Sequence, residues 1–349
     1  MQKKYWLLLI FLNIYTSFAS GNKIETFYGS EETDDPTISQ LLTSKTLQRL
    51  KGVDQSGALA YWGYVPKFSR YEHSVGVWAL LKRFHFPVKQ QVAGLLHDSS
   101  HTVFSHVADY LFKMPEDKHS YQDSIHLQYL KNRGILAEIN KTLKISLKDL
   151  NPDSPQYRGL EQDLPDLCAD RIEYILHTAL VFNKITQKEV ASIIHDLRFM
   201  DGNWYFINKD SAKRLADFSL EFTEHLWASP WNLAFNYLFN EILEQALELN
   251  LITSQDIHYG TDEIVLDKIK NSSSSRIQAK LKKLNNIDRS FKIVHFHYDT
   301  QFTPKFRGVD PYIQTVDGLM RLSELNTSYK KRFLNLKNKL QAGIKIVFL

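Results

Sequence analysis

Apolar residues recur at helical spacing through most of this chain and alternate in only a few short stretches. From Pro36 to about Leu249 the pattern is helical. Leu41, Leu42, Leu47 and Leu50 mark one apolar face, and Val75, Val77 and Leu81 mark a second. The stretches 88–96, 103–111, 164–180 and 188–197 read as further helices, the third of them buried. Residues 197–207 break the pattern. They read as two short strands about Asp201-Gly202, a dipeptide suited to a tight hairpin turn. Helix returns over 211–251, interrupted at Pro230. Beyond Thr253 the character changes. Asn271 and the serines 272–275 form a polar break, 291–298 and 344–349 carry β-formers, and 319–340 predicts a helix with a basic face. The expected fold is mainly α: a helical body over 36–252 with a short β-hairpin, and a smaller C-terminal α+β lobe over 253–349. No internal repeat is visible.

The N-terminus follows a different logic. Met1 to Lys4 is a short positive stretch, Tyr5 to Phe18 is mostly apolar, and small residues stand at Ser17 and Ala19. This is the layout of a secretory signal peptide over 1–20, and the apolar run is too short for an easy membrane span. The mature chain is therefore expected to be exported, to a bacterial periplasm or beyond, with no transmembrane span. Residues 21–35 are polar and predict a leader loop. Composition adds that 349 residues, 43% hydrophobic and 23% charged, support a sizeable packed core. A net charge of +4 without a concentrated basic stripe gives no case for nucleic-acid binding. The single cysteine, Cys168, allows no intramolecular disulfide and reads as a small core residue.

The candidate chemistry lies among the thirteen histidines. An apolar helix ends in Leu95-Leu96-His97-Asp98, and His101 and His106 follow within nine residues. Upstream is Arg70-Tyr71-Glu72-His73-Ser74, and downstream is Ala169-Asp170-Arg171. A His-Asp pair at the end of so apolar a helix needs a partner, because burying it unpaired is costly. A metal satisfies both groups at once. A mixed imidazole and carboxylate shell suits manganese, iron, nickel, cobalt or zinc and does not choose among them.

The ordered set resembles the HD superfamily, in the branch of the deoxynucleoside triphosphate triphosphohydrolases and their bacterial relatives. The likeness runs through Arg49-Leu50, Gln55-Ser56-Gly57, Arg70 to Ser74, His97-Asp98, His101, His106, Asp109, His119, Asp170-Arg171 and Tyr174. It continues to Val309-Asp310-Pro311-Tyr312 and Arg321 to Leu325. The resemblance implies an HD-domain helical bundle. It implies that His73, His97, Asp98 and Asp170 bind one divalent transition metal, with a second, magnesium, site as an option. It implies that His101, His106, His119 and Asp109 act around the scissile phosphate, and that Gln55, Arg70, Arg171 and Tyr174 contact the substrate. The implied partner is a small phosphorylated substrate, a nucleotide by preference, and relatives of this kind assemble as homo-oligomers.

Two departures from the family pattern narrow the expectation. Thr178 stands where the triphosphohydrolases carry an aspartate for a sugar hydroxyl. After the hairpin, where relatives grip a polyphosphate with cationic residues, the run Phe222 to Asn236 has almost no positive charge. A triphosphate normally needs several cationic contacts, so a phosphomonoester or shorter nucleotide is expected, in keeping with export. The leading expectation is a metal-dependent phosphohydrolase. The alternatives are a non-catalytic nucleotide- or partner-binding protein that keeps the fold, and an interaction protein with a vestigial cluster.

Overall fold

The computed structural model describes residues 22–112 and 120–349. The expected signal peptide and His119 lie outside these residues. One hydrophobic core runs through the described chain, from Tyr28 near its start to Ile346 near its end.

The helices that matter begin and end where local chemistry dictates. Ser69 and Glu72 form a capping box that starts the helix Arg70–Arg83 one turn before His73. The helix Val88–Leu96 packs beside it and delivers His97 at its C-terminal cap. The helix Ala169–Val181 crosses the first helix and carries Asp170 in its first turn. The chain from Lys209 to Phe222 is helical, passes through a π-turn at Thr223–Trp227, and resumes at Pro230, which opens the 19-residue helix to Glu248.

The hairpin is present as Leu197–Met200 paired with Asn203–Phe206. Asp201 and Gly202 both have positive φ, 50° and 78°, as the tight turn requires. Strand Tyr312–Thr315 adds to it in parallel and Gly318–Arg321 completes a four-stranded sheet. A second sheet places Ile344–Phe348 between Phe291–Ile293 and Thr300–Phe302. The C-terminal residues are thus bonded into the helical body: Val103 N–H donates to Ile257, and Asp262 accepts from the N–H groups of Asp54 and Phe104.

Several expectations are corrected. The polar leader 21–35 is a β-hairpin over its described part, Asn22–Thr26 with Gly29–Thr33, because Tyr28 is buried and Glu31 pairs with Lys82 and Arg83 of the first long helix. The helix expected from Val103 begins at Val107, because Phe104 and Ser105 adopt positive φ. The helix expected from Leu164 begins at Ala169, after Pro165 and a turn whose carbonyls Arg171 holds. The strand expected over 291–298 stops at Ile293, and the helix expected over 319–340 opens as strand and a short helical turn before Thr327–Gln341. No helix among the described residues is long and apolar enough to cross a membrane.

Candidate metal centre

Three helices bring distant residues to one point. His73 Nε2 lies 3.1 Å from His97 Nε2 and 2.9 Å from Asp170 Oδ1, and His97 Nε2 lies 3.4 Å from the same oxygen. These three offer ligand atoms within coordination reach of a common ion. Asp98 flanks the trio, with its oxygens 3.6 Å from His73 Nε2 and 3.5 Å from His97 Nε2. The separation along the chain, from residue 73 to residue 170, is closed by packing alone.

The tautomers are set from behind. His97 Nδ1 is 2.7 Å from the carbonyl of Gly94, which can only accept, so Nδ1 carries the proton. His73 Nδ1 donates to Glu173, a fully buried carboxylate that also bonds His177 Nδ1 at 2.9 Å. In the neutral rings that metal ligation needs, both Nε2 atoms would then turn lone pairs toward one point, beside two carboxylates. That arrangement is repulsive without a cation at its centre. It is the arrangement of a carboxylate–histidine–metal triad, in which the outer hydrogen bond orients the ligand and raises its basicity. The same field appears in the ionisations. Burial alone would lower the His73 and His97 values, yet Glu173, Asp170 and Asp98 lift His73, and Asp98 and Asp170 lift His97. Burial would raise Asp98, but Arg70, His97 and His101 hold it well below the usual carboxylate range. The donor set fits one divalent ion with positions to spare for other oxygens.

Glu173 was not among the candidates drawn from the sequence. Its signal is the spacing Asp170, Glu173, His177 on one face of an otherwise apolar helix. Room for it comes from Gly76, three residues after His73: a Cβ there would meet Glu173 Oε1 at 2.3 Å.

The remaining candidates divide. Arg70 is buried and gives Nη1 to Asp98 at 2.5 Å and Nε to Ser105 Oγ at 2.7 Å. His101 Nε2 is 3.3 Å from Asp98 Oδ1, and its ring meets His106 edge-on at 5.1 Å. Burial and the nearby Arg70 charge push His101 down to about 3, so it is neutral at ordinary pH and accepts or donates through a neutral ring. His106 is exposed and 3.4 Å from Asp109, whose other oxygen accepts the Tyr121 N–H. Arg171 is tied to the carbonyls of Gln162 and Asp166, and Tyr174 packs edge-on against Trp227 at 5.2 Å. Among the described residues, buried polar atoms without partners include Arg70 Nη2, His101 Nδ1, Gln55 Oε1 and Arg171 Nε. Each such atom costs roughly 1–3 kcal/mol, and four of them belong to the residues expected to touch substrate.

The turn between Asp98 and Val107 is held under strain. Phe104 and Ser105 have φ of 56° and 57°, unusual for residues with a Cβ. Asp262 holds the Phe104 N–H at 2.7 Å, and Gly57 gives way to its carbonyl, where a Cβ would meet the oxygen at 2.6 Å. The strain aims His101 and Ser105 at the Asp98–Arg70 pair.

A helical body wrapped around a buried His/Asp centre is the architecture of the HD type. A Bacillus subtilis protein, YdhJ, itself uncharacterised, is 28% identical over 328 residues, spanning 93% of this chain and 98% of the relative. The metal-dependent phosphohydrolase cns2 of Cordyceps militaris is 35% identical over 177 residues, about half of each chain. A phosphohydrolase structure from Bacteroides thetaiotaomicron superposes with a TM-score of 0.69 over 94% of this chain and 99% of its own, at 15% identity, which establishes the shared fold. No family model matches the chain. Together with the donor set, these relatives support the HD-type phosphohydrolase superfamily, and none of them singles out its triphosphohydrolase branch.

Proposed function

We propose that this chain is a metal-dependent phosphohydrolase that cleaves a phosphate ester of a nucleotide or a related small phosphorylated molecule. The observation that carries this reading is the convergence of His73 Nε2 and His97 Nε2 with the carboxylates of Asp170 and Asp98, both rings being anchored from behind through Nδ1. A bound divalent ion supplies Lewis-acid polarisation of a phosphoryl oxygen and an acidified water. His73, His97, Asp98 and Asp170 would hold it. Arg70 neutralises Asp98 and keeps its Nη2 free for a phosphate oxygen. His101, neutral and fixed by Asp98, presents Nδ1 to the same group. His106, exposed and backed by Asp109, is placed to pass a proton to a leaving alkoxide.

The test is turnover. Protein loaded with manganese, iron, nickel, cobalt or zinc is assayed against a panel of phosphate esters. Release of phosphate or nucleoside is expected, and Asp98→Ala is expected to reduce it at least about a hundredfold, the upper end of the loss for an outer partner of a metal ligand and so a lower bound for a ligand itself. Undiminished turnover in that variant contradicts the metal mechanism. Tight binding of a nucleotide by metal-loaded protein without any turnover favours a non-catalytic binding protein instead.

A further inference from the structure

Orienting His73 takes up only one of the two oxygens of Glu173. Oε2 accepts the His73 Nδ1 proton, and Oε1 accepts from His177 Nδ1 at 2.9 Å. The carboxylate is fully buried. A buried carboxylate that loses one of its donors must take up a proton or swing toward another partner, because an unpaired charged oxygen is costly there. Either response loosens His73. His177 therefore stands directly behind Glu173, one turn further along the same helix.

His177 is itself held by parts of the chain that carry no metal ligand. Its ring is stacked on Phe27 at 4.6 Å and 19°, and it meets Phe68 at 4.2 Å. Such contacts fix the plane of the imidazole, and the plane fixes where Nδ1–H points. Phe27 occupies the turn of the hairpin formed by Asn22–Thr26 and Gly29–Thr33. That turn is fastened to the helix that carries His73. Arg83 Nη2 donates to the Tyr28 carbonyl at 3.1 Å, and Lys82 and Arg83 both pair with Glu31. Gln187 Nε2 adds a bond to the Phe27 carbonyl at 3.2 Å. Phe68 lies just ahead of the Ser69 cap of the same helix, and its carbonyl accepts the Gln55 N–H at 2.9 Å.

We propose that His177 is a positioning residue of the metal centre, and that the Asn22–Thr33 hairpin sets the centre's affinity through it. The path runs from Phe27 and Phe68 to His177, from His177 to Glu173, and from Glu173 to His73, each link a contact in the structure. Coupling of this kind is reciprocal, so a hairpin that steadies the ion is steadied by it. The inference rests on the metal reading of the centre and is independent of which ester is cleaved.

The test uses the full-length chain with cobalt(II), its affinity measured by competition with a chelator and the fold of each variant checked by circular dichroism. His177→Phe keeps a ring without the donor. It is expected to weaken cobalt binding about tenfold, the lower end of the range for outer partners of ligands. His177→Asn, whose amide can donate to Glu173, should recover most of that loss. Phe27→Ala should weaken binding about three- to tenfold. In a Glu173→Ala background the His177→Phe loss should vanish, because His177 acts through that carboxylate. A loss that persists there marks a general structural role and overturns the proposal. Hydrogen exchange across residues 22–33 should slow on cobalt loading in the parent and not in His177→Phe. Exchange indifferent to cobalt in the parent overturns the hairpin's part. Equal cobalt affinity in the parent, His177→Phe and Phe27→Ala overturns the whole inference and leaves the metal centre standing. A parent that binds no cobalt removes the metal reading and the inference together.

Discussion

At the scale of single residues, the centre depends on which ring nitrogen of each histidine is bare. Gly94 decides this for His97 through a backbone carbonyl, which no side-chain substitution removes. Glu173 decides it for His73, and its ionised form is required. Burial would raise Glu173, but His73 and His177 hold it below the usual value, so it remains a carboxylate at neutral pH. Glu173→Gln is expected to lower affinity for the divalent ion about 10- to 100-fold, the range for lost outer hydrogen bonds to ligands. Competition with a fluorescent chelator measures this, and an unchanged affinity would show that Glu173 does not orient His73. The metal ligands were legible because His and Asp are chemically conspicuous among apolar neighbours. Glu173 was not, since its role appears only when the helix carrying Asp170 is laid across the helix carrying His73.

Among the elements, the decisive contact is the crossing of Arg70–Arg83 with Ala169–Val181. Gly76 allows the two helices to approach with Glu173 between them. Gly76→Ala is expected to displace that carboxylate, weaken metal binding about tenfold or more, and cost about 1–3 kcal/mol of stability through overpacking. Because the clash is with Glu173 itself, the stability cost should shrink in a Glu173→Ala background. A denaturant-unfolding cycle over the four proteins checks this, and strict additivity contradicts it. Elements with strong local signals matched expectation: the Asp201-Gly202 turn and Pro230 each sit where the pattern placed them. Elements whose form depends on distant partners did not. The Asn22–Thr33 hairpin is polar in sequence and is held by Lys82 and Arg83. The turn at Phe104 and Ser105 reads as helix, and it is bent by distant partners, among them Asp262, Gly57 and Arg70.

Across the whole molecule, residues from the C-terminal third complete the centre's frame. Asp262 ties together the backbone at Asp54 and at Phe104, far apart in the chain. Asp262→Ala leaves two buried N–H groups unpaired and is expected to cost roughly 2–5 kcal/mol, read by urea unfolding. The pair also gives a pH dependence. Burial pushes Asp54 up to about 7, with the Asp262 charge adding to the rise, and burial pushes Asp262 up to about 6 against the N–H groups of Asp54 and Phe104 that it accepts from. A folded value above the unfolded one, ~4, means stability that is fully present below the unfolded value and lost as pH rises through the folded ones. The urea midpoint of the parent is therefore expected to fall between about pH 4 and about pH 7 more steeply than that of Asp54→Asn. Parallel profiles would contradict this.

The account turns on one cation held by residues from three helices, and metal analysis of the purified chain tests it most directly. After reconstitution and desalting, about one divalent ion per chain is expected, lost from both His73→Ala and Asp170→Ala while helix content is kept. A parent that retains no ion, or variants that retain it equally well, would contradict the account.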